Sequence, residues 1–168
     1  MNVSNLCVVS FPNLKVTPYL FAKINYGSVI DWYWKADIAR TNPNFHNRPR
    51  YDFALLQIDA NQCVFIQLLF LFSTEYNGIK YQLALALPLD LPPLERNAQR
   101  DRELRLCRVR PRRRQASIIV NMEMIVRGAL LTEDLSSEGG EKLVVEFIDE
   151  DFWLRLKSVD LMTRVTMH

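Results

Sequence analysis

"CVFIQLLFLFSTEYNGIKYQLALALP" (Cys63–Pro88) decides the fold. Asn77-Gly78 sits between two apolar runs. A two-residue type I′ turn needs positive φ at both central positions, which Asn and Gly tolerate best, so this pair predicts a β-hairpin. Such a turn fixes the register. Glu75 faces Lys80, Thr74 faces Tyr81, Ser73 faces Gln82 and Phe72 faces Leu83. Leu71 then faces Ala84, Phe70 faces Leu85, Leu69 faces Ala86 and Leu68 faces Leu87. One face carries the large pairs Phe72–Leu83, Phe70–Leu85 and Leu68–Leu87. The other is polar beside the turn and apolar further away, the pattern of a hairpin whose base enters a core. A slip of one residue would exchange the two faces.

Outward from this hairpin, most of the chain reads as strand. "DFALLQID" (Asp52–Asp59) is a short apolar run that ends in a turn at Asp59-Ala60-Asn61. "ELRLCRVRP" alternates, with Leu104, Leu106, Arg108 and Arg110 on one face, and Pro111 stops it. "SIIVNMEMIVRGALLTED" predicts a strand, a short helical turn and a further strand, with Gly128 as a break. "KLVVEFIDEDFWLRLKSVD" predicts two short strands around a turn at Asp149–Asp151. "LSSEGGEK" reads as a loop, and so does "KADIARTNPNFHNRPRYD" (Lys35–Asp52), which is dense in Asn, Pro and Arg. The expected fold is mainly β, an antiparallel sheet or partly closed barrel, with minor helix in the N-terminal third and the connectors. The expected organisation is an extension over residues 1–50 packing on a β-rich unit over 51–160, with a tail over 161–168.

A chain of 168 residues with nine Phe, six Tyr and three Trp can build a substantial core. Cys63–Phe72 contains Gln67 and is about half a membrane span, so no membrane partner is expected. The first residues have no basic leader before an apolar core, which argues against a signal peptide. Three widely spaced cysteines, Cys7, Cys63 and Cys107, without a CxxC or a Cys/His cluster, point to a reducing, intracellular compartment and to no structural zinc.

Charge is the most uneven feature. Net charge is only +2, but Glu95–Gln115 holds nine arginines against three acids, and Glu133–Asp151 holds eight acids against Lys142. Arg108, Arg110, Arg112, Arg113 and Arg114 are therefore candidates for partner or phosphate binding. The block also resembles a nuclear-localisation patch. Phosphate contact without base readout would be strongly salt-dependent. "DWYWKAD" (Asp31–Asp37) supplies a second candidate: Trp32, Tyr33 and Trp34 could contact a cation or stack on bases, or pack beneath the sheet.

Chemistry is sparse. His46, in an Asn/Pro loop, and His168, at the chain end, are the only histidines. No GxSxG, P-loop, GxGxxG or HExxH occurs. A metal-dependent nuclease would have to bring together Asp52, Asp59 and Glu75 with Lys80. Asp149, Glu150 and Asp151 could hold a hard cation only if three adjacent acids converged. No catalytic residue, metal or cofactor is expected.

Two resemblances accompany these residues. "FHNRPRYDFALLQID", "FIQLLFLF", "YQLALALPLD", "LRLCRVRPRRRQASIIVNMEMIVRGALL" and "DEDFWLRLK" resemble a recurrent block in uncharacterised, transposon-associated proteins of mushroom-forming fungi, over about Trp32 to Lys157. The element order also resembles a bromo-adjacent homology (BAH) domain, a β-rich chromatin-associated module. "VFIQLLFLF" looks like its early core strand, "YQLALALP" like the next, "MIVRGALL" like its glycine-containing strand and "DEDFWLRL" like its closing acidic-aromatic strand. Leu85 and Leu87 stand where that family would carry aromatic cage residues. The resemblance implies a non-catalytic module that binds a protein or chromatin partner in a nuclear setting. DNA binding through the arginines is the alternative.

Overall fold

The computed structural model describes residues 15–91, 98–104, 106–134, 140–158 and 160–161. Cys7, Arg105, His168, the 92–97 linker and the 135–139 part of the acidic loop lie outside the described residues, as does the tail beyond 161. The strands are β1 (Val16–Tyr19), β2 (Phe21–Gly27), β3 (Trp34–Phe45), β4 (Arg48–Tyr51), β5 (Phe53–Asp59), β6 (Gln62–Tyr76) and β7 (Ile79–Asp90). Helix α1 (Ala98–Leu104) follows, then β8 (Cys107–Pro111), β9 (Ile118–Asn121), β10 (Ile125–Ala129), β11 (Leu131–Glu133) and β12 (Lys142–Val144). Helix α2 (Glu150–Ser158) and β13 (Asp160–Leu161) complete the described chain.

A large sheet runs β10-β5-β6-β7-β8-β12-β11, with β1 and β13 added on β6 and β9 on β7. A second sheet has the order β2-β3-β4. All described ladders are antiparallel except β13 on β6. The fold is thus mainly β and antiparallel, as its sequence predicts, and the described strands do not close into a barrel.

The central hairpin has the expected turn and register near its tip. Asn77 and Gly78 take φ of +52° and +76°. Glu75 faces Lys80, and the ladder holds to Phe70 facing Leu85. It then shifts: Leu68 faces Ala86 and Phe65 faces Leu89. Leu69 is the extra residue, a β-bulge, which reverses the facing of everything before it. Ile66, Leu68 and Leu71 consequently enter one core cluster together. The expected large column Phe72–Leu83, Phe70–Leu85 is the outer face here, and Phe70 is 39% exposed.

The buried side of this hairpin is instead small. Ala84 and Ala86 on β7, Ala54 on β5 and Ala39 on β3 share the cluster with Ile24, Ile66, Leu68 and Leu71. Short side chains let the second sheet lie close on the first, so β2 and β3 share one core with the β-rich unit. The opposite face of the base packs Leu55, Cys63, Phe65, Leu89, Val109 and Val144 around Phe152.

Four expectations are corrected. Lys35–Asp52 is not a loop but the end-to-end pair β3–β4, turned at His46 and Asn47, both with positive φ. Pro43 is accommodated because the ladder is irregular between Asn42 and Phe45. The N-terminal third, where described, is strand rather than helix. Phe152–Lys157, expected as strand after a turn at Asp149–Asp151, belongs instead to the helix α2. Asp149 caps it, accepting the Phe152 N–H at 2.7 Å. Glu150 and Asp151 lie in its first turn and Arg155 and Lys157 in its last, complementing the helix dipole. Similarly α1 runs through Leu104, so β8 starts only at Cys107. Among the described residues no helix is long and apolar enough to cross a membrane.

Phe152 joins α2 to the lower core and is fully buried. Phe152→Ala is expected to lower stability by about 3–5 kcal/mol, the range for truncating a buried aromatic, read from urea unfolding. A change under about 1 kcal/mol would show that α2 is not part of the cooperative unit.

Candidate functional site

Arg127 organises one end of the molecule. It sits on β10, only 2% exposed. Its Nη1 donates to Asp149 Oδ1 at 2.9 Å and to Asp151 Oδ2 at 2.8 Å, and its Nη2 donates to Asp149 Oδ2 at 2.8 Å. Its Nε lies 3.2 Å from Asp37 Oδ2 on β3. The guanidinium also lies over the Tyr26 ring at 4.4 Å and the Phe152 ring at 5.3 Å. Asp37 Oδ2 accepts the Gly128 N–H at 2.9 Å as well. A Cβ at position 128 would stand 3.3 Å from the Asp37 Cβ, so this close approach suits glycine.

This network fixes a hairpin tip. Asp151 Oδ1 accepts the Val29 N–H at 2.7 Å, and Arg155, itself paired to Asp151, donates to the Gly27 carbonyl. Within the tip, Ser28 N–H donates to the Tyr33 carbonyl at 2.9 Å and Trp32 N–H to the Ser28 carbonyl at 3.1 Å. Lys35 pairs with Asp31 at 2.8 Å, which holds the Asp31 carboxyl at about 2, below its usual range. Trp32, Tyr33 and Trp34 are left 84%, 73% and 81% exposed. Trp32 has φ +61°, a left-handed conformation that a bulky residue adopts only when its surroundings force it. The three aromatics therefore do not pack under the sheet. They stand on a braced turn in water.

At the start of α2, Phe147 and Trp153 stack at 6.4 Å and line an open hollow of about 340 Å³ with Asp149 and Glu150. Asp149 and Asp151 face Arg127, and no cluster of potential metal ligands occurs among the described residues.

The arginine block divides. Arg108 is buried on β8, with Nε donating to Asp101 at 2.6 Å, Nη1 to Asp134, and Glu141 at 3.7 Å. These bonds hold it protonated well above its ordinary range despite burial. Two of its partners belong to the acidic segment. Arg112 makes a two-pronged contact with Asp90, Nε and Nη2 both donating to Oδ1 at 2.9 and 2.7 Å. Arg108 is thus an interior tie, removed from the candidate contacts, and Arg112 is partly engaged. Arg110, Arg113 and Arg114 are exposed, with no ion pair among the described residues.

The nuclease set does not assemble. Asp52 accepts from Arg40 N–H and Arg50. Asp59 opposes Gln62 at one end of β6, whereas Glu75 opposes Lys80 at the other. Thirteen strand steps separate those ends, roughly 40 Å at 3.3 Å per residue. His46 is exposed, edge-on to Phe45. Burial raises the thiol pKa of Cys63, and that of Cys107 to about 12, against nucleophilic use. Comparison with protein-family models, curated proteins and solved structures finds no match.

Burial pulls the Arg127 pKa down, but the Asp149 hydrogen bond and the Asp37 and Asp149 charges hold it above its ordinary value. Arg127 in turn lowers Asp149, and Asp151 lies low because Arg155 and the Val29 N–H outweigh its burial. Both carboxyls thus bind protons more weakly in the folded state. Their stabilisation is complete above the unfolded value of about 4 and is lost as pH falls through the lower folded values. Arg127→Met should cost roughly 3–5 kcal/mol at pH 7, because it removes the buried cation shared by Asp37, Asp149 and Asp151. It should also flatten the loss of stability between about pH 4 and 2 in urea titrations. An unchanged acid limb would assign that limb to other carboxyls.

Proposed function

We propose that this chain is a non-catalytic interaction module that binds a protein partner, with chromatin as the setting that its BAH-like element order suggests. The observation that carries this reading is the exposed Trp32–Trp34 triplet on a turn braced by Asp151 and Arg155. Tryptophan and tyrosine dominate the energetic centres of protein interfaces, because they offer large contact area with few rotatable bonds. Solvating three such rings together, one on strained backbone, is unfavourable for the isolated chain. A partner that covers them recovers that energy without first having to order the loop.

Reconstituted nucleosomes and histone-tail peptides test the chromatin setting. Trp32→Ala with Trp34→Ala should weaken binding by at least about 30-fold, the ~2 kcal/mol scale of an interface centre. Thermal stability should change little, since both side chains are outside the core. Binding that survives both substitutions would remove the hairpin from the interface.

A second reading is accessory nucleic-acid binding, favoured by the exposure of Arg110, Arg113 and Arg114 beside the ordered Arg112–Asp90 pair. Three arginine–phosphate contacts give a slope of log K against log salt of about −2.7 on duplex DNA. A salt series with duplex and single-stranded DNA measures it, and a flat response would exclude this reading.

A further inference from the structure

Which backbone groups of β2 are open follows from its register. Thr41 N–H donates to the Leu20 carbonyl at 2.9 Å, and Ser28 N–H donates to the Tyr33 carbonyl at 2.9 Å. Both pairs extend the β2–β3 ladder, in which Ala22 faces Ala39, Ile24 faces Asp37 and Tyr26 faces Lys35. Bonded and non-bonded pairs alternate along an antiparallel ladder. Leu20 and Ser28 are bonded positions, so Ala22, Ile24 and Tyr26 turn their N–H and C=O toward β3. Phe21, Lys23, Asn25 and Gly27 turn theirs the other way. β2 is the end strand of its sheet. The Gly27 carbonyl on that side accepts from Arg155, which closes one end of the edge. The outward groups of Phe21, Lys23 and Asn25 have no backbone partner among the described residues.

An open hollow of about 370 Å³ borders this edge. Phe21 to Asn25 line it on one side; Leu71, Gln82, Met122, Glu123 and Ile125 line it from the large sheet and the turn before β10. We propose that the outward edge of β2 docks an extended segment of a partner protein as an added strand. Three N–H and three C=O groups at ladder spacing match another strand, whereas a helix, with its backbone bonds satisfied internally, cannot use them. The added strand points alternate apolar side chains into the hollow and sets an acidic side chain opposite the exposed Lys23, where unlike charges attract across a ladder. A second copy of this chain fits poorly. The two-fold register that uses all three residues of each copy sets Lys23 against Lys23. This surface lies outside the Trp32–Trp34 turn, and neither proposal needs the other.

The test is selection of phage-displayed 12-residue peptides on the full chain. Selected peptides should alternate apolar residues with at least one acid, and should protect the Lys23 and Asn25 amides from hydrogen exchange. Lys23→Pro deletes an outward N–H that serves no native ladder bond, and should weaken those peptides by roughly tenfold or more. Lys23→Glu keeps every backbone group and should weaken the acidic peptides by about fivefold, so the proposal stays testable should the proline variant fold poorly. Trp32→Ala should leave these affinities unchanged. Selection that yields no alternating acidic peptides, or peptides indifferent to Lys23→Glu and without protection at β2, overturns the proposal. Peptides lost with Trp32→Ala alone would do the same while supporting the hairpin as the contact.

Discussion

A guanidinium can leave water only if its charge and its N–H groups find partners, and most of the architecture at this end of the structure follows from satisfying that demand at Arg127. The partners come from two distant places in the chain: Asp37 on β3, and Asp149 and Asp151 at the start of α2. Meeting them fixes how the small sheet lies on the large one and where α2 begins. Asp149 serves twice, as ligand to Arg127 and as cap of the helix. Asp151 also serves twice, to Arg127 and to the backbone of the aromatic turn. The exposed aromatics are therefore held by an electrostatic tie in the interior, with little apolar packing of their own.

The same rule explains the arginine-rich block. Read along the sequence, Arg108 to Arg114 looks like one basic feature facing an acidic segment. In the fold, alternation along β8 puts Val109 into the lower core and Arg108 on the other side, where burial obliges it to take Asp101, Asp134 and Glu141. Arg112 lies after the strand and spans to Asp90. Charge that serves as structure and charge that faces solvent thus alternate within seven residues, and composition alone cannot separate them.

Legibility in the sequence followed how local the determining physics is. The Asn77-Gly78 turn depends on two residues, and both it and the register as far as Phe70–Leu85 were readable. The bulge at Leu69 was not, because inserting one residue in an apolar run leaves the composition unchanged while reversing the faces. The β3–β4 pair was hidden by Asn and Pro, which signal loops in general but here occupy a tight turn and an irregular strand segment. For α2, Phe152, Leu154 and Leu156 mimic strand alternation. The stronger signal was the capping Asp149 with acids first and bases last. The run Trp32–Trp34 was visible in the sequence, but its exposure was not, because it depends on distant Asp151. Arg127 was the residue missed. A single arginine between Val126 and Gly128 in an apolar strand, with a three-acid turn downstream, was the available sign of a buried tie.

The two solvent-facing features at this end differ in kind because β2 changes role along its length. Over Phe21–Asn25 its outward backbone groups have no backbone partner among the described residues, and specificity there would come from main-chain geometry and one cation. Beyond Gly27 the backbone N–H groups of the turn are engaged, by Tyr33, Asp151, Ser28 and Asp31, and the exposed side chains dominate what it presents. Arg155 marks the boundary, since its contact with the Gly27 carbonyl ends the ladder that an added strand could extend. A segment docked on β2 would stop short of the aromatic turn, which leaves the two surfaces able to engage separate parts of one partner or two partners at once.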